Sequence, residues 1–200
     1  MIRVVTVSRE YGSGGGQIAA RLAGKLGWDL LDKKLIADVA DRFRMRDSAA
    51  RRLQEHGSWW LERIARAIWL ETGGSTVQVV DAEAVHQFTT EAILQAHERG
   101  TCVIVGRGAQ CVLRNLPDVL HIFVFAPLEH RIARLTGKYP NSEELLAAIA
   151  RVDEERAAYI REFHDVDWKD PSLYHLWING KRGVDPAVNI ILNAVRSAED

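Results

Sequence analysis

Ile2-Arg3-Val4-Val5-Thr6-Val7-Ser8 runs directly into Arg9-Glu10-Tyr11-Gly12-Ser13-Gly14-Gly15-Gly16-Gln17. The first seven residues are apolar and rich in β-branched side chains, so they read as a short buried strand. Four of the chain's fifteen glycines then fall within the five positions 12–16. Residues 17–26 carry Ile18, Leu22 and Leu26 on every fourth position, as one face of a helix requires. Gly27 ends that helix, and 28–31 is a second short strand closing on Asp32. The opening thirty residues are therefore strand, glycine loop, helix, strand.

The same alternation continues downstream. Residues 33–45, 48–55 and 59–70 have helical periodicity, Gly73-Gly74-Ser75 breaks the run, and 81–99 reads as a further helix. A fully apolar third strand, 101–105, stops at Gly106-Arg107-Gly108, and a short helix follows to Asn115. Residues 120–126 form a fourth strand. Pro127 suits the first position of a helix running to about 138. Pro140-Asn141-Ser142 opens a long helix to about 163, 174–179 is a fifth strand, 180–183 a loop, and 186–198 a last helix. Strands alternating with helices imply α/β architecture with a five-stranded parallel sheet covered on both faces. No linker or repeat divides the chain, so 1–200 reads as one domain, with the helical stretch 33–99 as an insertion.

Composition narrows the function classes. The chain has 200 residues, 47% hydrophobic and 26% charged, with a net charge of −1. Such a balance is ordinary for a globular protein and lacks the basic field of a nucleic-acid binder. Of the 26 basic residues, 20 are Arg and 6 are Lys, and Arg suits bidentate phosphate contacts. Arg42, Arg44, Arg46, Arg51 and Arg52 form a local basic run that reads as a solvated helix face. Cys102 and Cys111 match no zinc spacing and read as reduced, buried thiols. No apolar run approaches the ~18 residues of a membrane span, and no signal peptide is evident at the start. A cytoplasmic protein with no membrane or nucleic-acid partner is expected.

A glycine turn between a first strand and a first helix is a phosphate site in two common designs. The dinucleotide design wants a third glycine where Gln17 stands, although Asp32 would suit a ribose. The six residues from Arg9 to Gly14 suit a wrapped P-loop better, but the lysine and hydroxyl of that motif are missing from their places. A loop with no ligand is the third reading.

The stretch Ser8-Arg9-Glu10-Tyr11-Gly12-Ser13-Gly14-Gly15 resembles the opening of the cytidylate kinase-like family, a branch of the P-loop nucleoside monophosphate kinases. The resemblance continues in Asp32-Lys33 and in Val105-Gly106-Arg107. It recurs in Ala126-Pro127-Leu128-Glu129-x-Arg131-x-x-Arg134 and in Val152-Asp153-Glu154-Glu155-Arg156-Ala157-Ala158-Tyr159, then in Asp167-Trp168, Tyr174 and Asn179. It implies a three-layer P-loop NTPase fold, with 33–99 as a helical acceptor-binding insertion and about 135–160 as a lid. The implied cofactors are ATP and Mg²⁺, and the implied substrate is a small nucleotide, by default a pyrimidine monophosphate such as CMP.

Gly12, Ser13, Gly14, Gly15, Gly16 and Gln17 would cradle the donor phosphates. Arg107 would hold the acceptor phosphate with Asp32 beside it. Arg9, Lys33, Arg131, Arg134 and Arg156 would supply positive charge, with Asp153 on the same helix face as Arg156; Arg131 and Arg156 read equally well as salt-bridge residues. No metal ligand is assigned; Asp32 is the acid that could hold Mg²⁺ through water. Three positions depart from the ordinary cytidylate kinase pattern: the lysine's place is Gly15, which the resembled branch leads one to expect, the Mg²⁺-binding hydroxyl's is Gln17, and the acid before Gly-Arg is Val105. The branch's usual basic residue is Gly16. These departures leave open a silent nucleotide-binding module, or a kinase for another acceptor. Glu10 could help Asp32, but it reads first as a solvent-facing loop acid. Trp59, Trp60 and Trp69 read as core packing, with a homodimer surface or a base-stacking platform as alternatives.

Overall fold

A computed structural model describes residues 1–32 and 82–198. Lys33, the helices expected over 33–45, 48–55 and 59–70, the arginine run and Trp59, Trp60 and Trp69 lie outside the described residues. The strands are β1 (Val4–Arg9), β2 (Asp29–Leu31), β3 (Cys102–Val105), β4 (Val119–Phe125) and β5 (Leu176–Asn179). They form one sheet in the order β2-β3-β1-β4-β5, and every pairing is parallel. The five-stranded parallel sheet expected from the alternating pattern is present.

Each strand end follows from its neighbours. Val5, Val7, Leu120, Ile122 and Val124 alternate onto one face and meet α1 (Gly15–Leu26) and α6 (Val184–Ser197) through Ile18, Leu22, Val188 and Ile191. Val4, Cys102, Ile104 and Val119 face the other side, against Phe88, Ala92 and Ile93 of α2 (Ala82–Arg99). A short α3 (Ala109–Val112) closes that layer through Ala109 and the following Leu113. Two-faced burial of this kind explains the near-continuous apolar runs of β3 and β4. Phe123 anchors a third cluster with Trp168, Leu173 and Tyr174.

Several boundaries differ from the expectation, each for a local reason. The first helix begins at Gly15 rather than at 17, because Gly14 at φ 91° already turns the chain into it. Arg9 is the last residue of β1, not part of the loop. Pro127 precedes α4 (Leu128–Leu135) with extended ψ 145° instead of opening it, and that helix stops at 135 rather than about 138. Helix α5 (Ser142–His164) starts where Asn141 accepts a hydrogen bond from the Glu144 N–H. The fifth strand is shorter than expected because residues Pro171–Leu173 form a 3₁₀ turn, from which Tyr174 sends its hydroxyl to the Trp168 carbonyl. A second such turn, Gly180–Arg182, stands where a plain loop was expected.

The face toward α3 is not wholly apolar. His121 is buried, with its Nδ1 2.8 Å from the Thr6 hydroxyl and its ring stacked on His175. Ser8 donates to Gln110 beside them. Burial, and then the nearby His175, hold the His121 pKa down at about 4. Burial also lowers His164 to about 4. The unfolded chain therefore takes up these protons first, below about 6.5. Stability is fully present above that pH and is lost as pH falls toward 4. A melting series from pH 7.5 to 4.5 should show Tm falling steadily below about 6.5; a flat Tm across that window would contradict neutral burial of these rings.

Glycine positions separate close contact from open space. A Cβ on Gly180 would stand 2.0 Å from the Ser13 carbonyl oxygen, whereas one on Gly24 inside α1 meets nothing within 4 Å. Gly180→Ala should cost roughly 1–3 kcal/mol through overpacking. Gly24→Ala should add about 0.5–1 kcal/mol of helix propensity. Urea denaturation should show midpoints moving in opposite directions.

Candidate active site

The carboxyl ends of parallel strands are where open α/β sheets bind ligands. Here β1 ends at Arg9, β2 leads into Asp32, and β3 leads into Gly106-Arg107-Gly108. The glycine loop runs from Glu10 to Gly14, with Gly12 at φ 81° and Gly14 at φ 91°. Helix α1 starts after Gly14 with no side chain capping its first N–H groups. Ser13 is fully buried, and its hydroxyl has no partner among the described residues.

Arginines from distant segments hold this loop. Arg131 of α4 donates through Nε to the Tyr11 carbonyl at 2.7 Å and through Nη2 to the Asp153 carboxylate. Its third nitrogen lies 3.4 Å from Glu10. Asp153 of α5 also accepts from the Tyr11 N–H at 2.7 Å. Arg134, one turn after Arg131, donates to the Ser13 and Gly180 carbonyls at 3.2 and 3.0 Å. It therefore braces the loop against the turn at Gly180. Arg156 donates to the Arg9 carbonyl at 2.5 Å and lies 3.5 Å from Asp153.

Glu10 corrects the sequence reading. It is buried rather than solvent-facing, accepting from Lys169 Nζ at 2.7 Å and from the Ala126 N–H at 3.2 Å. Lys169 escaped notice in the sequence because nothing local marks a lysine as the partner of a residue 159 positions away.

The remaining candidates divide into those gathered at the mouth and those turned away. The Arg9 guanidinium is 3.9 Å from Asp32. Burial, then the charge of Arg156, lower the Arg9 pKa to about 9, opposed by Asp32; Arg107 lowers it further. At neutral pH it stays a cation. Burial, then Asp153 in opposition and Arg107 in support, set the lowered Arg156 pKa. Burial raises the Asp153 pKa, against its Tyr11 bond and the two arginines. Arg9, Arg107 and Arg156 thus lie close enough to feel one another. Gly16 and Gln17 are exposed on the first turn of α1.

Arg107 sits at φ 61° between Gly106 at 72° and Gly108 at 74°. The flanking glycines take positive φ freely, so the strain falls on Arg107, of the kind that gathers at functional sites. Behind this turn a Cβ on Gly108 would meet His164 Nε2 at 2.6 Å and the Tyr159 ring at 3.3 Å. The Tyr159 hydroxyl in turn lies 3.0 Å from His86 Nδ1 on α2. Sequence reasoning missed this wall, because its members come from two helices with no shared motif.

Among the described residues no group of three acids, histidines or cysteines could hold a metal ion. Gln17 offers no hydroxyl, Val105 no carboxylate, and Asp32 stands beside a cation. Among the described residues, these donors therefore do not fit a directly held Mg²⁺. Cys102 and Cys111 are free, and burial pushes both thiols up to about 11, so neither is a nucleophile.

A model of the cytidylate kinase-like family matches residues 4–182. The chain belongs to the cytidylate kinase-like family. Among solved structures, an uncharacterized protein from Eubacterium ventriosum is similar at 21% identity and a TM-score of 0.71, over 98% of this chain and 99% of that one. The shikimate kinase of Bacteroides thetaiotaomicron is similar at 14% identity and a TM-score of 0.55, over 96% and 98%. That of Acinetobacter baumannii gives 15% and 0.51, over 98% and 94%. These likenesses show the P-loop kinase fold for this member of the cytidylate kinase-like family. No curated protein matches the sequence.

Removing one member of a buried ion pair typically costs about 3–5 kcal/mol. Asp153→Ala should fall at the low end, about 3 kcal/mol, because Glu10 still faces Arg131. Asp153→Asn should cost less, since its carbonyl can still accept from Tyr11. Urea denaturation of both variants measures this; an unmoved midpoint in Asp153→Ala would mean the pair contributes nothing to loop stability.

Proposed function

We propose that this chain transfers the γ-phosphoryl group of ATP to a small acceptor, with a pyrimidine nucleoside monophosphate such as CMP as the first candidate. The supporting observation is the convergence of Arg9, Arg107 and Arg156 beside a glycine loop that holds a buried, unpartnered serine hydroxyl. The cradle suits a polyphosphate: backbone N–H groups of a helix start and positive-φ glycines favour anions.

In this reading an oxygen of the acceptor phosphate forms a bond to the γ-phosphorus. The bond from that phosphorus to the β-phosphate oxygen breaks, and ADP leaves. The protein's part is alignment and charge. The loop and the α1 start orient the donor. Arg107 holds the acceptor phosphate on its strained turn, and Arg156 adds charge between them. Arg131, with its three nitrogens engaged by Tyr11, Asp153 and Glu10, positions the loop rather than the reacting atoms. Mg²⁺, when bound, would neutralise charge on the nucleotide's own phosphates.

A second reading is a nucleotide-binding module without turnover. Gly15, Gly16 and the exposed Gln17 favour it, since none supplies the motif's cation or hydroxyl.

The test is product chromatography with Mg-ATP and a panel of nucleoside monophosphates. A diphosphate should form in proportion to protein. Arg107→Ala should raise the acceptor KM roughly tenfold or more, as loss of a charge-assisted phosphate contact implies, with a smaller change in kcat. Unchanged acceptor kinetics would remove Arg107 from that role. ATP binding without product from any acceptor would favour the module.

A further inference from the structure

We propose that Arg9 and Gly15 are an exchanged pair: the cation that a P-loop ordinarily carries on the first residue of its helix stands here on the last residue of β1. The inference rests on the nucleotide-binding reading above. In the motif G-x-x-x-x-G-K the two glycines bracket the loop and the lysine follows the second. With Gly14 as the second glycine, the lysine's place is Gly15 and the first glycine's place is Arg9. A glycine and a cation have thus traded positions, with arginine in place of lysine.

The geometry gives the reason. A Cβ on Gly15 would lie 2.4 Å from the Arg9 Cβ, 3.0 Å from its Cγ and 3.3 Å from the Val124 Cβ. The end of β1 and the start of α1 approach so closely that only one of the two positions can carry a side chain. Here Arg9 carries it. Its stem fills the gap, and its guanidinium reaches the end of β3, where a Cβ on Gly106 would meet Nη1 at 2.0 Å. Gly106 is therefore a second vacancy cut for the same side chain. The guanidinium ends 3.9 Å from Asp32, a long ion pair. Arg156 holds the Arg9 carbonyl where the strand passes into the loop.

Gly16 supplies the contrast. It is exposed, and a Cβ there meets nothing within 4 Å. A basic residue would fit at that position without strain. Its absence is not imposed by packing, which is consistent with the charge being supplied from Arg9.

The exchange predicts a reciprocal rescue, read as binding of ATP and of inorganic tripolyphosphate by titration calorimetry. Arg9→Gly should weaken both by roughly tenfold or more. Arg9→Met, which keeps the stem against Gly15 and removes the charge, should weaken both to a similar degree with Tm near the wild type's. Gly15→Lys alone should lower Tm, because two side chains then compete for one gap. Arg9→Gly combined with Gly15→Lys should return binding to within about threefold of wild type. If the wild type binds and Arg9→Met binds equally well, Arg9 is not the loop's cation. If the double variant binds no better than Arg9→Gly, the exchange is wrong. If the wild type binds neither ATP nor tripolyphosphate, the nucleotide reading itself fails and the exchange falls with it.

Discussion

The buried ion-pair knot of Glu10, Arg131 and Asp153 is the constraint on which the loop depends. A glycine-rich segment has many backbone conformations open to it, and glycine loses the most entropy on ordering. Something outside the segment must select one. Arg131 does so by spending each guanidinium nitrogen on a different part of the turn: the Glu10 carboxylate, the Tyr11 carbonyl, and the Asp153 carboxylate that itself receives the Tyr11 N–H. Desolvating these charges is costly, and their mutual attraction offsets that cost only with such complete pairing. The gain is in a defined loop shape more than in net stability.

The glycines mark where other segments enter. Arg134 lies against Gly14, Arg9 against Gly15 and Gly106, and His164 against Gly108. Each missing Cβ makes room for a long polar side chain arriving from elsewhere in the sequence. The loop is thereby lined with guanidinium groups, although the loop residues themselves carry little charge. For an anion this arrangement joins two sources of favourable potential, the helix start of α1 and the arginines around it.

The same sheet serves two purposes on its two faces. The face toward α1 and α6 is a dry aliphatic core that fixes the strand ends in register. The opposite face admits Thr6, Ser8, Gln110 and the His121–His175 stack just below the site. Polar groups there must find partners inside the protein, which ties α3 and the strand before the glycine loop into one unit.

The sequence by itself determined the alternation of strands and helices, the parallel sheet, the loop's place between β1 and α1, and the family. Those features are written in near-neighbour patterns: every-fourth apolar residues such as Ile18, Leu22 and Leu26, β-branched runs, and glycines that punctuate them. It also singled out Arg9, Arg107, Arg131, Arg134, Asp153 and Arg156, of which Arg131, Arg134, Asp153 and Arg156 bond the stretch from Arg9 to Ser13. Only the tertiary structure decided what each of them touches. Arg131 and Arg134 are three residues apart on one helix, yet one is consumed by carboxylates and the other grips carbonyls of Ser13 and Gly180. Glu10 read as a surface acid because its partners, Lys169 and Arg131, are remote in the chain. Periodicity reports which way a side chain faces on its own element. Which charge waits across the gap depends on how elements pack, and that is settled only when the whole sheet has closed.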